Sequence, residues 1–330
     1  MRFLLDLFTH PSAWYSAHRL LVAQIGINSL LAVSIWVTLY AGMLTLANVG
    51  FMAIGGYTTV IMAIHLHTPL PLNMACGAVL AGVVGVVIGL PVLRLTGVYL
   101  AIATVGFGEV VRFGFILNIG ITGRGQGLTN PAADPNAILP VWVVLAVLVA
   151  ALWRLTRSKI GQAWTAIRTD ELAAASGAID TARYKLGAFV LGAVLAGLAG
   201  GLDAHLNFFI DPTEYAFNRA VLVLIFAFVG GILVPLGPVV GATLLTALPE
   251  IVRSANDYRD VADGAILMLI VVFRPQGLIG RRGPGQRGPR VGRPHRSGGD
   301  PVSTPAPSLG TPAPPAATAA AAPGDPQPGS

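Results

Sequence analysis

Two ionisable residues, Glu109 and Arg112, stand in an otherwise apolar stretch from residue 97 to 117. A charged group inside an apolar helix of membrane-spanning length is costly, which makes such a group a functional candidate by default. Residues three apart on a helix share one face, so this carboxylate and guanidinium can also pair and offset that cost. The sequence leaves two hypotheses open: a structural ion pair, and a role at the outer gate of a solute path.

The longest polar segment between apolar stretches runs from residue 158 to 185. Asp170 and Glu171 precede the helix-forming residues 172–176, and acidic side chains favour a helix N-terminus. Gly177 follows directly, where a glycine favours a helix end. We predict a short amphipathic helix that lies parallel to the membrane and offers a docking site to a mobile partner; an ordinary polar connector is the alternative.

Patterns that would indicate an enzyme or a metal site are missing from the sequence. Neither Lys159 nor Lys185 follows a glycine, so neither belongs to a phosphate-binding loop of the Gly-x-x-x-x-Gly-Lys-Ser/Thr type. His65 and His67 are two residues apart and do not share a helix face. Cys76 is the one cysteine, which excludes an intrachain disulfide and a cysteine-based metal site. We predict no catalytic residues, no metal site and no cofactor.

The composition indicates a membrane protein. Of the 330 residues, 54% are hydrophobic and only 11% are charged, whereas a soluble domain has about 25% charged residues. Residues 20–64 and 220–249 contain no Asp, Glu, Lys or Arg, and about 20 apolar residues cross a bilayer as a helix. Uninterrupted apolar runs favour helices over the alternating strands of a membrane barrel. We predict an all-α, polytopic transmembrane bundle of eight or nine spans.

The predicted spans follow the apolar runs of the sequence. They are residues 20–41, 43–65, 74–93, 97–117, 138–156, 184–206, 219–234, 236–253 and 261–275. The seventh and eighth are separated by a Gly- and Pro-rich segment, residues 230–238, so they are either two full crossings or two half-helices that meet inside the membrane. Both versions leave the two chain ends on the same sides.

The positions of lysine and arginine predict the orientation. Cytoplasmic loops are enriched in these residues, and residues 154–185 carry six of them. This places the segment, and with it the C-terminus after Arg274 and Arg281, in the cytoplasm. Nine spans then require an external N-terminus, against which Arg2 and Arg19 argue mildly.

The chain divides into three predicted regions. Residues 1–19 form a short N-terminal segment, residues 20–280 the transmembrane domain with its cytoplasmic loop 157–183, and residues 281–330 a tail rich in Pro, Ala and Gly. Such a tail buries too little apolar surface to order itself, which predicts a disordered cytoplasmic extension. The tail contributes +4 of the net charge of +6, so the basic balance of the chain does not indicate a nucleic-acid partner.

Four blocks of the sequence resemble the branched-chain amino acid permease family of ABC importers. They are YAGMLTLANVGFMAIGGYT at 40–58, LRLTGVYLAIATVGFGEVVR at 93–112, RTDELAAASGAIDTARYKLGAFVLGAVLAGLAGG at 168–201 and VGGILVPLGPVVGATLLTALPEIVR at 229–253. The third block contains Glu171-x-Ala173-Ala174-x-x-Gly177, which resembles the coupling loop of such permeases, with Leu172 in place of an alanine. The resemblance covers roughly residues 25–280.

The resemblance implies a permease subunit in the bacterial inner membrane, with an internal repeat in its fold. Its implied partners are cytoplasmic ATPase subunits, a second, homologous permease subunit and an external solute-binding protein, together with the lipid bilayer. The implied ATPase-coupling residues are Arg168, Asp170, Glu171, Ala173, Ala174, Gly177 and Ile179. Leucine, isoleucine and valine are the implied substrates. Urea or short amides, and in a different class an ion-coupled secondary transporter with Glu109 as the titrating group, are the alternatives.

Small residues are concentrated in the first of these blocks. Glycines leave room for close helix packing, or for a backbone break that offers polar groups to a solute. With the charged pair described above, they are the candidates for the translocation path or gate: Gly42, Asn48, Gly50, Gly55, Gly56, Glu109 and Arg112. For each glycine taken singly, close packing is the competing explanation.

Overall fold

The computed structural model describes residues 11–118, 120–130, 133–134 and 138–252. These residues contain ten α-helices: α1 (Pro11–Tyr40), α2 (Asn48–Leu66), α3 (Leu70–Val92), α4 (Val98–Glu109), α5 (Ile138–Thr156), α6 (Lys159–Thr169), α7 (Glu171–Ser176), α8 (Thr181–Leu206), α9 (Phe217–Gly230) and α10 (Leu236–Val252). A π-helix (Val110–Ile116) continues α4. Strands β1 (Leu128–Thr129) and β2 (Phe209–Ile210) pair antiparallel, and 3-10 turns occupy Gly120–Thr122, Arg124–Gln126 and Pro212–Tyr215.

Six helical segments are long and apolar enough to cross a membrane, which confirms the predicted all-α, polytopic class. They are His18–Tyr40, Asn48–Leu66, Leu70–Val92, Val98–Ile116, Ile138–Thr156 and Thr181–Leu206. Two shorter apolar helices, α9 and α10, follow. The predicted count of eight or nine spans is not confirmed. The predicted ninth span and the tail lie outside the described residues, as do the first ten residues of the N-terminal segment.

Two helices begin earlier in the sequence than the predicted spans, and the residues at their N-termini explain the difference. The third span was expected from residue 74, but α3 begins at Leu70 with Pro69 as its cap and Pro71 in its first turn. Proline is accepted there because the first amides of a helix have no intrahelical partner. Helix α8 begins at Thr181 rather than 184, because the Asp180 carboxylate accepts a hydrogen bond from the Arg183 amide at 3.1 Å.

Helix α8 lies at the centre of the bundle and packs against α1, α2 and α3. Small residues make this packing close: a Cβ added at Gly55 of α2 would lie 2.1 Å from the carbonyl oxygen of Gly197 of α8, and one at Gly77 of α3 would lie 2.7 Å from the carbonyl of Gly55. Backbones in such contact gain van der Waals attraction that bulkier side chains would prevent. Next to the glycines, the Phe51 ring packs on Phe107 and Phe189, with centroids 4.9 and 5.5 Å away.

Helices α9 and α10 form a hairpin against α1. The Trp36 indole nitrogen donates to the carbonyl of Ile232 in the turn at 2.8 Å, and the Asn28 side chain contacts Arg219 of α9 and Thr246 of α10. Helix α9 has 14 residues, which is about 21 Å at 1.5 Å per residue, less than the roughly 30 Å of a bilayer core. Helix α9 by itself is therefore shorter than a full crossing.

Contacts between helices show which of their ends lie together. Tyr40 at the end of α1 contacts Thr165 of α6, whereas Gly26, earlier in α1, faces Val141 near the start of α5. Helices α2 and α8 run in the same direction, since Gly55 faces Gly197 and Gly56 faces Gly200. The segment α6–α7 therefore lies at the end of the bundle where α1 finishes and α2 begins.

Candidate functional site

The connection between α1 and α2, residues 41–47, interrupts the helical backbone and is held in place by polar side chains; we call it the α1–α2 break. Gly42 has a φ of +82°, a left-handed conformation that glycine adopts without a Cβ penalty. The Thr45 hydroxyl donates a hydrogen bond to the Thr38 hydroxyl at 3.0 Å, and the Thr104 hydroxyl of α4 accepts a hydrogen bond from the Leu46 amide at 3.0 Å. Thr104 thus supplies an acceptor for a backbone amide that lies outside both helices, and the contact between Thr45 and Thr38 holds the connection against α1.

Asn48, the polar path candidate, is the first residue of α2 and is buried. Its amide nitrogen donates to the Ser34 hydroxyl at 2.9 Å, and the Ser34 hydroxyl in turn donates to the carbonyl of Leu31. The Asn48 side chain therefore bridges the break to α1.

The three glycine candidates of α2 lie at close helix contacts. An added Cβ at Gly50 would lie 3.1 Å from the Cα of Gly108 in α4, and one at Gly56 would lie 3.0 Å from the Tyr215 hydroxyl. Gly55 faces α8, as described above. These distances explain each glycine by packing, and they bring Gly50 next to Glu109 in one narrow cleft, which Tyr215 and the start of α9 also line.

Glu109 and Arg112 form the predicted ion pair. The Glu109 Oε2 atom lies 2.7 Å from Arg112 Nη2 and accepts a hydrogen bond from Arg112 Nε at 2.9 Å. Two contacts to one carboxylate satisfy both charges, and the guanidinium also lies 4.2 Å above the Phe113 ring. The pair sits where α4 changes into the π-helix, a feature often found at functional sites. The sequence carried no signal for that change.

We expect Glu109→Leu to destabilise the protein, because it leaves the half-buried Arg112 guanidinium without its acceptor. An unpaired neutral polar group costs about 1–3 kcal/mol when buried, and a charged group such as this guanidinium costs more. The double variant Glu109→Leu/Arg112→Leu removes both charges and should recover the melting temperature and the uptake of the unmodified protein. Thermal unfolding and transport of the three proteins test this. A double variant that is stable but inactive would contradict a purely structural pair.

The polar segment forms two helices, α6 and α7, as shown by its capping contacts. The Asp170 carboxylate accepts hydrogen bonds from the amides of Leu172 and Ala173, each at 3.0 Å, so Asp170 is the N-cap of α7. The helix ends at Gly177, which confirms the predicted stop. The left-handed residue is Ala178, however, with a φ of 62°, rather than the glycine before it.

The coupling candidates differ in exposure. Ala174 is buried, Arg168 and Ile179 are half-buried, and Asp170, Glu171, Ala173 and Gly177 are exposed. Between them, Leu172 is 82% exposed, an apolar side chain that points away from the subunit. Residues 171–173 are the exposed part of α7 on which the predicted partner contact would fall, and we call them the docking surface on α7.

Helix α6 joins this surface to the α1–α2 break. The Trp164 indole nitrogen donates to the carbonyl of Tyr184 at 2.9 Å, which fixes α6 to α8. The Tyr40 hydroxyl lies 3.0 Å from that of Thr165, and the Arg168 guanidinium lies 4.9 Å from the centre of the Tyr40 ring. A Cβ at Gly42 would lie 3.0 Å from the Cα of Arg168. The coupling candidate Arg168 and the path candidate Gly42 are therefore in contact.

A polar cluster near the other end of α8 escaped sequence reasoning. Asp203 is 3% exposed and its carboxylate accepts a hydrogen bond from Asn207 at 3.1 Å. Among the described residues, the buried hydroxyls of Tyr57 and Tyr215 have no hydrogen-bond partner. Burial and the carboxylates of Asp203 and Glu214 raise the pKa of Tyr215 well above its usual range. An aspartate close to the end of an apolar run was the signal that could have identified this cluster.

No three His, Cys, Asp or Glu side chains lie close enough to hold a metal ion in the part of the chain that the structure describes. The functional candidates in these described residues are the α1–α2 break, the ion pair and the surface on α7.

Comparison with known proteins agrees with these features. Residues 19–272 match the family described as branched-chain amino acid transport system, permease component. The chain is 32% identical over 292 residues to the high-affinity branched-chain amino acid transport system permease protein LivM of Escherichia coli K12, covering 78% of this chain and 67% of that protein.

Further relatives agree with this match. LivM of Salmonella typhimurium is also 32% identical, with the same coverage, and LivH of Escherichia coli K12 is 31% identical over 165 residues, which is 49% of this chain and 52% of LivH. No solved structure matches the chain. With a family match over most of its length and a relative of this identity and coverage, the chain belongs to the branched-chain amino acid transport system permease family.

Proposed function

We propose that this protein is the permease subunit of a binding-protein-dependent ABC importer in the bacterial inner membrane. Its substrates are branched-chain or related hydrophobic amino acids, as the names of its LivM and LivH relatives suggest. Separate cytoplasmic ATPase subunits hydrolyse ATP, a second, homologous permease subunit completes the path, and an external solute-binding protein delivers the substrate.

The proposed organisation retains the three regions of the sequence. Residues 20–280 form the transmembrane domain, with residues 157–183 as its cytoplasmic coupling loop. Residues 1–19 precede it, and residues 281–330 form a cytoplasmic tail. The concentration of Lys and Arg in residues 154–185 supports this orientation.

The contact between α6 and the α1–α2 break carries the proposal. Residues 171–173 present an exposed surface to an ATPase subunit, and α6 connects that surface to Gly42 through Arg168 and Tyr40. A displacement of α7 by ATPase closure is passed to α6 and then to the backbone break, because packed helices move as rigid bodies. The break changes its conformation more readily than a continuous helix, since it lacks an unbroken ladder of helical hydrogen bonds.

The path itself is proposed to lie beside the cleft that contains Gly50 and Glu109. This cleft adjoins Tyr215 and the start of α9, and α9 begins part-way along the bundle, level with Asn28 of α1. Helix ends inside a membrane protein present unpaired backbone groups, and transporters use such groups to bind solutes. In this proposal Asn48, Gly55 and Gly56 support the path by packing.

The experiment is uptake into proteoliposomes that contain this chain, its second permease subunit and its ATPase subunits, with the binding protein outside. We expect leucine uptake that requires ATP inside the vesicles and persists with a protonophore. Uptake that a protonophore abolishes, and that needs no ATPase, would instead establish the ion-coupled class. Thermal-shift measurements on the binding protein, across amino acids, short amides and urea, separate the substrate alternatives.

A further inference from the structure

A cavity of about 140 Å³ lies between α7, α8, the α1–α2 break and the turn after α3. One water needs about 10–15 Å³ of such volume, so the cavity has room for a small organic solute. It is separate from the cleft at Glu109: none of its lining residues is shared with that cleft. It opens at the end of the bundle that carries the docking surface on α7.

The cavity combines one acid and one base with apolar walls. The charged residues that line it are Glu171 and Lys185, and the Glu171 Oε1 atom pairs directly with Lys185 Nζ. Most other lining side chains are aliphatic or methionine, among them Met43, Leu44 and Leu95. The lining therefore has no net charge: one negative and one positive group lie at one edge of the cavity, and most of the remaining wall is apolar.

The ion pair retains capacity for a ligand. An ammonium group has three donors and a carboxylate has several acceptor positions, and the contact between Lys185 and Glu171 uses one of each. The Lys185 side chain is 12% exposed, so a charge that reaches it is shielded from water. An electroneutral ligand with an ammonium and a carboxylate can add to this pair and form an alternating set of four charges. A ligand with a single charge would leave an unbalanced one in a partly buried place.

We propose that this cavity binds a zwitterionic amino acid with an aliphatic side chain from the cytoplasmic side. The carboxylate contacts Lys185, the ammonium contacts Glu171, and the side chain packs against Met43, Leu44 and Leu95. This inference rests on the proposed function for its ligand and for its orientation. It adds a second site, on the product side, whose occupant touches both the coupling helix and the backbone break.

The test is binding of radiolabelled L-leucine to the full complex of permease and ATPase subunits in nanodiscs, without binding protein. We expect saturable binding, with at least tenfold weaker competition by 4-methylpentanoate, which lacks the ammonium, and by 3-methylbutylamine, which lacks the carboxylate. Lys185→Met should weaken leucine binding at least tenfold. Competition by either single-charge analogue that is as strong as competition by unlabelled leucine would overturn the proposal, as would the absence of saturable binding.

A cavity-filling variant separates this site from the translocation path. Leu95→Trp should reduce leucine binding at least tenfold, because the indole occupies the cavity. Val98→Trp is the matched control, since Val98 is 69% exposed and does not line the cavity. Equal leucine binding by the two variants would overturn the proposal.

Uptake by the same complex, measured with the binding protein present, keeps this test independent of the proposed function. If the complex takes up leucine with ATP but shows no leucine binding in the cavity, the cavity proposal is rejected and the proposed transport function stands. Absence of leucine uptake in every preparation rejects the proposed function, whatever the cavity binds.

Discussion

Gly55→Val should prevent the transmembrane domain from folding into a stable bundle. The added Cβ would lie 2.1 Å from the carbonyl oxygen and 2.5 Å from the Cα of Gly197. Both are backbone atoms, so no side chain can rotate to make room, and α2 and α8 must separate. Overpacking of a core typically costs about 1–3 kcal/mol and occasionally more. We expect a value above that range, because α8 also holds α1 and α3 in place.

The matched control for this prediction is Gly106→Val. Gly106 lies in α4, and an added Cβ at this position would have no atom within 4 Å apart from its chain neighbours and the backbone of its own helix. The two variants introduce the same side chain into two apolar helices, and only the contact differs. Yield of monodisperse protein after membrane extraction and the melting temperature are the measurements. If the Gly55→Val protein has the same melting temperature as the unmodified protein, α2 and α8 are not packed through these glycines.

Gly177→Pro should abolish transport and the stimulation of the ATPase while the permease still folds. The Gly177 amide donates to the carbonyls of Ala173 and Ala174, both at 3.1 Å. Proline has no amide proton, and it disfavours helical geometry at Ser176 before it. Since α7 has only six residues, loss of its last turn removes much of the helix that carries the docking surface.

Gly177→Ala is the control at the same position. Its φ of −82° suits any residue, and an added Cβ would meet its nearest neighbour, the Ala174 carbonyl oxygen, at 3.4 Å, an ordinary contact. We expect Gly177→Ala to retain uptake and ATPase stimulation and Gly177→Pro to lose both, with equal amounts of each protein in the membrane. Normal transport by the proline variant would reject α7 as the coupling element.

The local features of this protein could be predicted because they depend on neighbours in sequence. The start of α7 follows from Asp170, whose carboxylate reaches amides two and three residues later. The Glu109–Arg112 pair follows from the spacing of two charges on one helix turn. The six long helices follow from uninterrupted apolar length. In each case the interacting groups are a few residues apart, so the sequence alone brings them together.

Contacts between distant segments could not be predicted in this way. The sequence left residues 219–253 as either two spans or two half-helices, and the packing of this hairpin on α1 depends on Asn28 and Trp36, which are about 200 positions away. The π-helix after Glu109 likewise had no local signal. Asp203 was passed over because its burial and its proximity to Glu214 and Tyr215 arise only when the segment after α8 folds back against α2.

Residue types and their spacing were enough to predict the membrane class, the family, a Glu109–Arg112 pair and a short helix over residues 172–176. Helix packing, by contrast, places Arg168 against Gly42, turns the α2 glycines toward the backbones of α4 and α8, and brings Glu171 and Lys185 to one edge of a cavity. One cause explains why these three contacts could not be predicted. Apolar length and capping act within one helix, whereas the partner of each small or charged residue depends on which helices pack together.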